Sequence, residues 1–152
     1  PSSTPRLRFR KMAPNDLSHV ATLDTGGSRG PAEWIDWNVS NYADYGFGLW
    51  IIETHSGVFI GDCGLTMQEV EGDWCIETGW HVHPDVRRLG YATEAATSVR
   101  EAARDAGIEH LVAIIRPHNL ASQGVAKKIG MSLDREVDKR GPALVFGMDL
   151  SG

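Results

Sequence analysis

The stretch Trp80–Ala106, WHVHPDVRRLGYATEAATSVREAARDA, and the Gly107 that follows it contain three consecutive elements. Trp80–His83 is a short apolar and aromatic run, which predicts the end of a strand. Pro84–Leu89 predicts a turn with two arginines. Gly90–Ala106 predicts a helix, because its apolar residues recur at i, i+3, i+4 and i+7, and the following glycine ends it. A basic turn that leads into a glycine therefore joins a strand to a helix N-terminus.

The start of this helix is suited to binding an anion. The first turn of a helix leaves about four backbone N–H groups without partners, and the helix dipole adds roughly half a positive charge there. Arg87 and Arg88 add full charges, and Gly90 has no Cβ, so a ligand can approach its backbone closely. A phosphate or pyrophosphate fits these features. The alternative is an ordinary strand-to-helix turn with solvated arginines.

The order of these residues resembles the acetyl-CoA pyrophosphate loop of the GNAT superfamily of acyl-CoA N-acyltransferases. Arg87-x-x-Gly90-x-Ala92 matches that family's Arg/Gln-x-x-Gly-x-Gly/Ala pattern, and RRLGYATEA is most similar to the branch that includes the ribosomal-protein N-terminal acetyltransferases. Neither a G-x-G-x-x-G fingerprint nor a P-loop occurs in this stretch. The resemblance implies that the coenzyme is contacted by His81, Val82, Arg87, Arg88, Leu89, Gly90, Tyr91, Ala92 and Thr93.

The composition excludes several classes of protein. The chain has 152 residues, of which 41% are hydrophobic and 23% charged, as in a globular protein of one domain. A formal net charge of −5 disfavours nucleic acid as a partner, and no apolar run approaches the ~18 residues of a membrane span. The first residues, PSSTPRLRFRK, lack the apolar core of a signal peptide. We therefore expect a cytoplasmic protein with a single domain, residues 1–152.

The cysteines and histidines predict no metal site. Cys63 and Cys75 are too few and too widely spaced to bind a metal by themselves, and the six histidines are scattered without an H-E-x-x-H motif. We expect both cysteines to be free, buried thiols in a reducing compartment, with a disulfide as the alternative.

The remaining chain predicts the order β-α-α-β-β-β-α-β-α-β-β, an α+β fold in which helices flank one mixed central sheet. The GNAT fold has this same order. The exposed strand edges near the C-terminus favour a homodimer. The predicted strands are Leu7–Arg10, Phe47–Glu53, Val58–Met67, Trp74–His83, His110–Arg116 (expected to be a fully buried parallel strand), Met131–Val137 and Pro142–Leu150. The predicted helices are Pro14–Leu23, capped by Asn15 or Asp16, then Ala32–Tyr45, Gly90–Ala106 and Leu120–Ile129.

A second motif, Asn119-x-x-Ser122, lies at the entry of the last predicted helix. The resemblance to the ribosomal-acetyltransferase branch implies that this pair contacts the pantetheine arm of the coenzyme. Simple helix capping is the alternative. Many members of the family carry a tyrosine general acid on this helix, but no tyrosine follows Tyr91 here. Ser122 is therefore the candidate acid.

Glu77, in Glu77-Thr-Gly-Trp80, is the candidate general base because the sequence resembles the family's E-x-G-[YW] stretch. Acyl transfer requires a neutral amine, whose proton a carboxylate can accept directly or through a water. Period-2 alternation places Glu77, Gly79, His81 and His83 on one face of the strand. His81 is a second candidate base, since an unperturbed histidine titrates near neutrality. A solvated or salt-bridged carboxylate is the alternative for Glu77.

Together these features predict an acetyl-CoA-dependent N-acetyltransferase that moves the acetyl group to a primary amine of a protein N-terminus or a small molecule. The amine attacks the thioester directly, and backbone N–H groups near Val82 polarise the carbonyl. Trp34 and Trp37 either wall a substrate pocket or pack in the core. The alternative function is a catalytically silent acyl-CoA-binding sensor or interaction module. The acceptor amine is not readable from the sequence.

Overall fold

The computed structural model of the protein describes residues 1–151. Its seven strands and four α-helices follow the predicted order. The strands are β1 (Leu7–Arg10), β2 (Leu49–Thr54), β3 (Phe59–Val70), β4 (Asp73–Val82), β5 (His110–Ile115), β6 (Ser132–Asp138) and β7 (Pro142–Asp149). The helices are α1 (Leu17–Val20), α2 (Pro31–Tyr45), α3 (Tyr91–Asp105) and α4 (Leu120–Lys128), with 3-10 turns at Pro14–Asp16 and Pro84–Val86.

All seven strands form one mixed sheet in the order β1-β2-β3-β4-β5-β7-β6. Every neighbouring pair is antiparallel except β4 and β5, which are parallel and in register only where Glu77 lies opposite Val112. Beyond that pair the two strands separate. The predicted parallel strand is thus paired in parallel with β4 alone, since its other neighbour, β7, is antiparallel, and it is not fully buried, because His110 at its start is exposed.

Helices cover both faces of the sheet. The apolar stripe of α3 packs with α4 on one face, and small alanines bring α3 close to the strands. On the other face α1 and α2 pack against β2. Adjacent residues of β2 show the two layers, since Ile51 belongs to the α2 cluster and Ile52 to the α3 cluster, both fully buried. The residues of the α3 stripe are Ala95, Ala96, Val99 and Ala103.

The first helix is shorter than predicted, and its cap is different. Only Leu17–Val20 is α-helical, and neither Asn15 nor Asp16 caps it with a side chain. Instead the Asp16 carboxylate accepts the Ala13 N–H at 2.9 Å and a two-pronged pair of bonds from Arg10, at 2.7 and 2.8 Å. Asp16 therefore fixes the chain leaving β1 rather than starting a long helix.

Helix α2 is anchored to the start of β2. The Leu49 N–H donates to Asn38 Oδ1 at 2.7 Å. The Tyr42 hydroxyl donates to the Leu49 carbonyl and accepts the Met12 N–H, the latter at 3.0 Å. These bonds hold α2, and the tryptophans that it carries, in a fixed position over β2 and β3.

Both cysteines are free thiols. Cys63 is fully buried, and burial raises its pKa well above the ordinary value. Cys75 is half-buried and its Sγ lies 3.4 Å from the Gln68 carbonyl oxygen. In residues 1–151 no helix has the length and apolar character needed to cross a bilayer.

Candidate active site

A cavity of about 600 Å³ lies where β4 and β5 separate. Its walls come from the α1–α2 segment, α2, the middle strands and the start of α4. It brings together six residues that the sequence predicted for the site: Trp34, Trp37, Glu77, His81, Asn119 and Ser122. The predicted pyrophosphate loop, residues 87–92, lies beyond the end of β4 and is not part of this cavity wall.

Glu77 lies at the point where the two parallel strands part. Its Oε2 accepts the Ile114 N–H of β5 at 2.7 Å. In a continued parallel ladder, that N–H would bind a backbone carbonyl of β4. The carboxylate replaces the missing partner, because a half-buried N–H left unpaired is costly. Glu77 is itself half-buried and lines the cavity, so it is not the solvated carboxylate of the alternative interpretation.

The surroundings of Glu77 suit proton transfer near neutral pH. Burial raises the pKa of this carboxyl from 4.5 to about 7. The Ile114 N–H and the nearby positive charges of His81 and Lys139 oppose burial without cancelling it. A carboxyl group with a pKa near the working pH can both accept and release a proton readily.

His81 is the second titratable group in the cavity, and it is part of a buried chain of hydrogen bonds. Its Nδ1 lies 2.7 Å from Asp62 Oδ1, and Asp62 Oδ2 accepts the indole N–H of Trp34 at 2.9 Å. Burial, the largest influence, lowers the pKa of His81. The charge of Asp62 and its hydrogen bond outweigh burial, so the pKa is raised overall.

Asp62 is a residue that the sequence analysis missed. It is fully buried, and both of its oxygens are bonded. The available signal was a carboxylate inside an otherwise apolar strand, Ile60-Gly-Asp-Cys-Gly-Leu65, because a charged side chain is rarely buried unless it is paired. His118 and Arg29 also line the cavity and were not predicted.

The backbone of β4 supplies a further donor at the gap. The His83 N–H donates to the Ile60 carbonyl of β3 at 2.8 Å, and Val82 lies opposite Gly61 in the same antiparallel pair. Bonded and non-bonded positions alternate along such a pair. The Val82 N–H therefore points away from β3, toward the gap, as the proposed role in polarising a carbonyl requires.

The two tryptophans differ in their roles. Trp34 is only 7% exposed, packs in the α2 cluster and donates its N–H to Asp62, so it serves both the core and the cavity wall. Trp37 is half-buried, and the guanidinium carbon of Arg29 lies 3.9 Å from its ring centroid. Trp37 thus forms an aromatic part of the cavity wall, and the exposed guanidinium of Arg29 covers one face of its ring.

Asn119 and Ser122 have the predicted helix-entry geometry. Asn119 is the N-cap of α4, and its Oδ1 accepts the Ser122 N–H at 3.1 Å. The capping interpretation is therefore correct for Asn119. Ser122 is half-buried and faces the cavity, so its hydroxyl can serve a ligand there as well.

The loop before α3 has the backbone of an anion site. Arg88 and Gly90 have left-handed φ angles of 65° and 83°, and Gly90 is the N-cap of α3. Among residues 1–151, no side chain caps this helix N-terminus, so its first-turn N–H groups can serve an anion. Arg87 is exposed, and its Nε donates to the Val82 carbonyl at 3.3 Å, which ties the loop to the strand end beside the cavity.

Comparison with known proteins shows the family of the chain. Residues 6–132 match the family model of the acetyltransferase (GNAT) domain. The chain is 34% identical to the Bacillus subtilis (strain 168) protein YkkB, described as uncharacterized, over 90% of this chain and 87% of that one.

Solved structures share the fold. An acetyltransferase from Agrobacterium tumefaciens str. C58 is 27% identical and superposes with a TM-score of 0.82, over 97% of this chain and 92% of the other. The Salmonella typhimurium protein yncA, solved with its cofactor acetyl-CoA, has a TM-score of 0.73 at 17% identity, over 96% and 95% of the two chains. Because the matched domain covers residues 6–132, the chain is a member of the GNAT acetyltransferase family.

Proposed function

We propose that this protein is an N-acetyltransferase that transfers the acetyl group of acetyl-CoA to a primary amine by direct attack on the thioester. The observation that carries the proposal is Glu77, a half-buried carboxyl with a pKa of about 7 at the open end of the β4–β5 gap. A base of this kind is useful for an amine, which must lose a proton to be acylated. Membership of the GNAT family and the yncA complex with acetyl-CoA support the choice of donor.

The residues present fit acetyl-CoA as the donor substrate. The uncapped N-terminus of α3, with Arg87 and Arg88 beside it, suits a pyrophosphate. The gap beyond Glu77 leaves backbone groups of β4 without a strand partner, and an amide-bearing chain such as pantetheine can pair with them. Asn119 and Ser122, at the start of α4, line the same cavity.

Each group in the cavity then has one task. Acetyl-CoA supplies an activated thioester, so the chain needs no nucleophile of its own. Glu77 accepts a proton from the ammonium group of the acceptor, and the neutral amine that results attacks the thioester. The Val82 N–H stabilises the negative charge that develops on the carbonyl oxygen. The Ser122 hydroxyl donates a proton to the departing thiolate and regains one from the amine nitrogen as the amide forms. Holding the two substrates together in this cavity contributes on the order of 7–11 kcal/mol in favourable cases.

The acceptor amine enters from the side of α2. Trp37 and Trp34 wall that side, and the volume of about 600 Å³ suits a small amine or the first residues of a peptide. The acceptor can therefore be a small molecule or a protein N-terminus, and turnover with small amines and with peptides distinguishes the two.

Binding and turnover test different parts of the proposal. Calorimetry should show that acetyl-CoA binds the parent and that Arg87→Ala weakens binding by ~1–3 kcal/mol, the range for a lost charged hydrogen bond. Thiol release should then depend on an amine from a panel of peptides, polyamines, amino acids and aminoglycosides. If acetyl-CoA binds but no amine causes thiol release, the silent acyl-CoA-binding module is favoured. If the parent and Arg87→Ala bind acetyl-CoA equally well, the loop is not part of the donor site.

A further inference from the structure

The side chain of Arg6, just before β1, contacts three residues around the pyrophosphate loop. Its Nε donates to Glu94 Oε1 at 2.7 Å, and its Nη1 donates to the Leu89 carbonyl at 2.8 Å. Its guanidinium carbon lies 4.4 Å from the centroid of the Tyr91 ring. One planar cation therefore joins the loop to the first turn of α3, from a position more than 80 residues away in sequence.

Gly90 makes room for this arrangement. Its φ of 83° is left-handed, and a Cβ at this position would lie 3.3 Å from Arg6 Nη2. That distance is tight, so a Cβ at position 90 would require the guanidinium to shift by a few tenths of an ångström. The glycine thus serves two purposes, since it permits the backbone angle and lets Arg6 lie flat against the loop.

Arg6 also compensates a charge that would oppose anion binding. Glu94 lies in the first turn of α3, where a carboxylate repels a phosphate bound at the same N-terminus. Its two oxygens are occupied by the Arg6 side chain, by the Arg6 N–H at 3.1 Å and by the Thr4 hydroxyl. The N-terminal segment therefore neutralises this carboxylate and fixes the position of its side chain.

We propose that Arg6 is a positioning residue for the donor: it holds the loop 87–90 in its anion-binding shape and neutralises Glu94, so that affinity for the pyrophosphate of acetyl-CoA depends on it. The inference rests on the proposed function. Arg6 acts through the loop, because two of its donors are already bonded to Glu94 and to Leu89. Its effect should therefore appear only with a donor that carries a pyrophosphate.

The experiment compares two acetyl donors, acetyl-CoA and acetyl-pantetheine, which has the same thioester but no pyrophosphate. For Arg6→Ala we expect KM for acetyl-CoA to rise about tenfold with kcat little changed, since charge-assisted bonds are lost from a partly exposed group. The value of kcat/KM with acetyl-pantetheine should stay within about twofold of the parent value, because a loop-mediated effect needs the phosphates.

Arg8→Ala is the matched control. Arg8 and Arg6 have the same side-chain exposure, 45%, and each forms one ion pair at 2.7 Å, but the partner of Arg8 is Glu53, on β2. This variant should behave like the parent with both donors. Arg6→Lys keeps the charge that neutralises Glu94 but cannot bridge Glu94 and Leu89 as a planar fork, so it should recover only part of the affinity lost in Arg6→Ala.

Three results would overturn the inference. One is an equal loss with both donors, which would indicate general structural damage. Another is no loss with either donor, and the third is full recovery in Arg6→Lys, which would leave only a diffuse charge effect. Failure of the parent to turn over any donor would instead refute the proposed function, so the two failures are distinguishable.

Discussion

Replacing Glu77 by glutamine tests the proposed base with little change in shape. The amide keeps an oxygen that can accept the Ile114 N–H, a bond of 2.7 Å in the parent, and it fills the same half-buried volume. What it lacks is the ability to accept a proton at neutral pH. We therefore expect the fold and the strand gap to remain and the chemical step to slow.

The size of the effect follows from the pKa of about 7 for Glu77. In the parent, kcat/KM should fall on the acidic side of that value, so that about 1% of the carboxyl is ionised two pH units below it. In Glu77→Gln that acidic limb should disappear, and kcat/KM at neutral pH should drop ~10²-fold or more, near the lower range for loss of a general base. Partial recovery at high pH is expected, because more of the acceptor amine is then already neutral.

The same substitution should leave the protein at least as stable as the parent above pH 7, whereas a misfolded variant would be less stable. The carboxyl has a pKa of about 7 in the folded protein against 4.5 when exposed. Between these values the folded state holds a proton that the unfolded state has lost, so the free energy of unfolding of the parent falls as pH rises, by at most about 3 kcal/mol. Glu77→Gln should lack this fall and be at least as stable as the parent at pH above 7.

The assay is a pH series of kcat/KM for both proteins, paired with urea unfolding at pH values on either side of 7. Normal turnover of Glu77→Gln at neutral pH would refute the role of Glu77 as base. His81 would then be the next candidate base. An acidic limb with a pKa near 7 that survives in the variant would lead to the same conclusion, because a group other than Glu77 would then be titrating there.

Three other substitutions test separate parts of the account. Gly61→Ala should destabilise the fold by about 3 kcal/mol or more, since a Cβ there would lie 1.9 Å from the His81 carbonyl oxygen, and an unchanged urea midpoint would contradict this close approach. Ser122→Ala should lower kcat more than it raises KM for acetyl-CoA, whereas a pure KM effect would limit Ser122 to holding the donor. Asp62→Asn should lower the pKa of His81 measured by NMR, because it removes the charge that raises it, and an unmoved titration would show that Asp62 does not control His81.

Local patterns predicted the parts of the fold that depend on neighbours in sequence. The stripe of α3 and the Gly90 start needed only residues within a few turns, and the predicted helix is correct to within about one residue at each end. The first helix failed because the Asp16 carboxylate is used by Arg10 and Ala13 instead of capping a longer helix. The contact between Arg10 of β1 and Asp16 is tertiary, and rules for helix capping consider only residues that are neighbours in sequence.

The candidate site was predicted as a set of residues but not as a set of contacts. The pair of Asp62 and His81 depends on the register of β3 against β4, and the bond from Ile114 to Glu77 depends on where β4 and β5 separate. Arg6 bonds to its loop from 83 residues away in sequence. Such contacts are set by packing of the whole sheet, so residue spacing along one strand does not reveal them.

The most direct test of the central claim follows the acetyl group itself. The parent is incubated with acetyl-CoA that carries an isotopically labelled acetyl group and with the best amine of the panel, and the product is identified by mass spectrometry while free thiol is counted. The account predicts labelled acetyl on the amine nitrogen, in equal amount to the thiol, and almost none with Glu77→Gln at neutral pH. Thiol release without an acetylated amine would contradict it, because the thioester would then be passing to water.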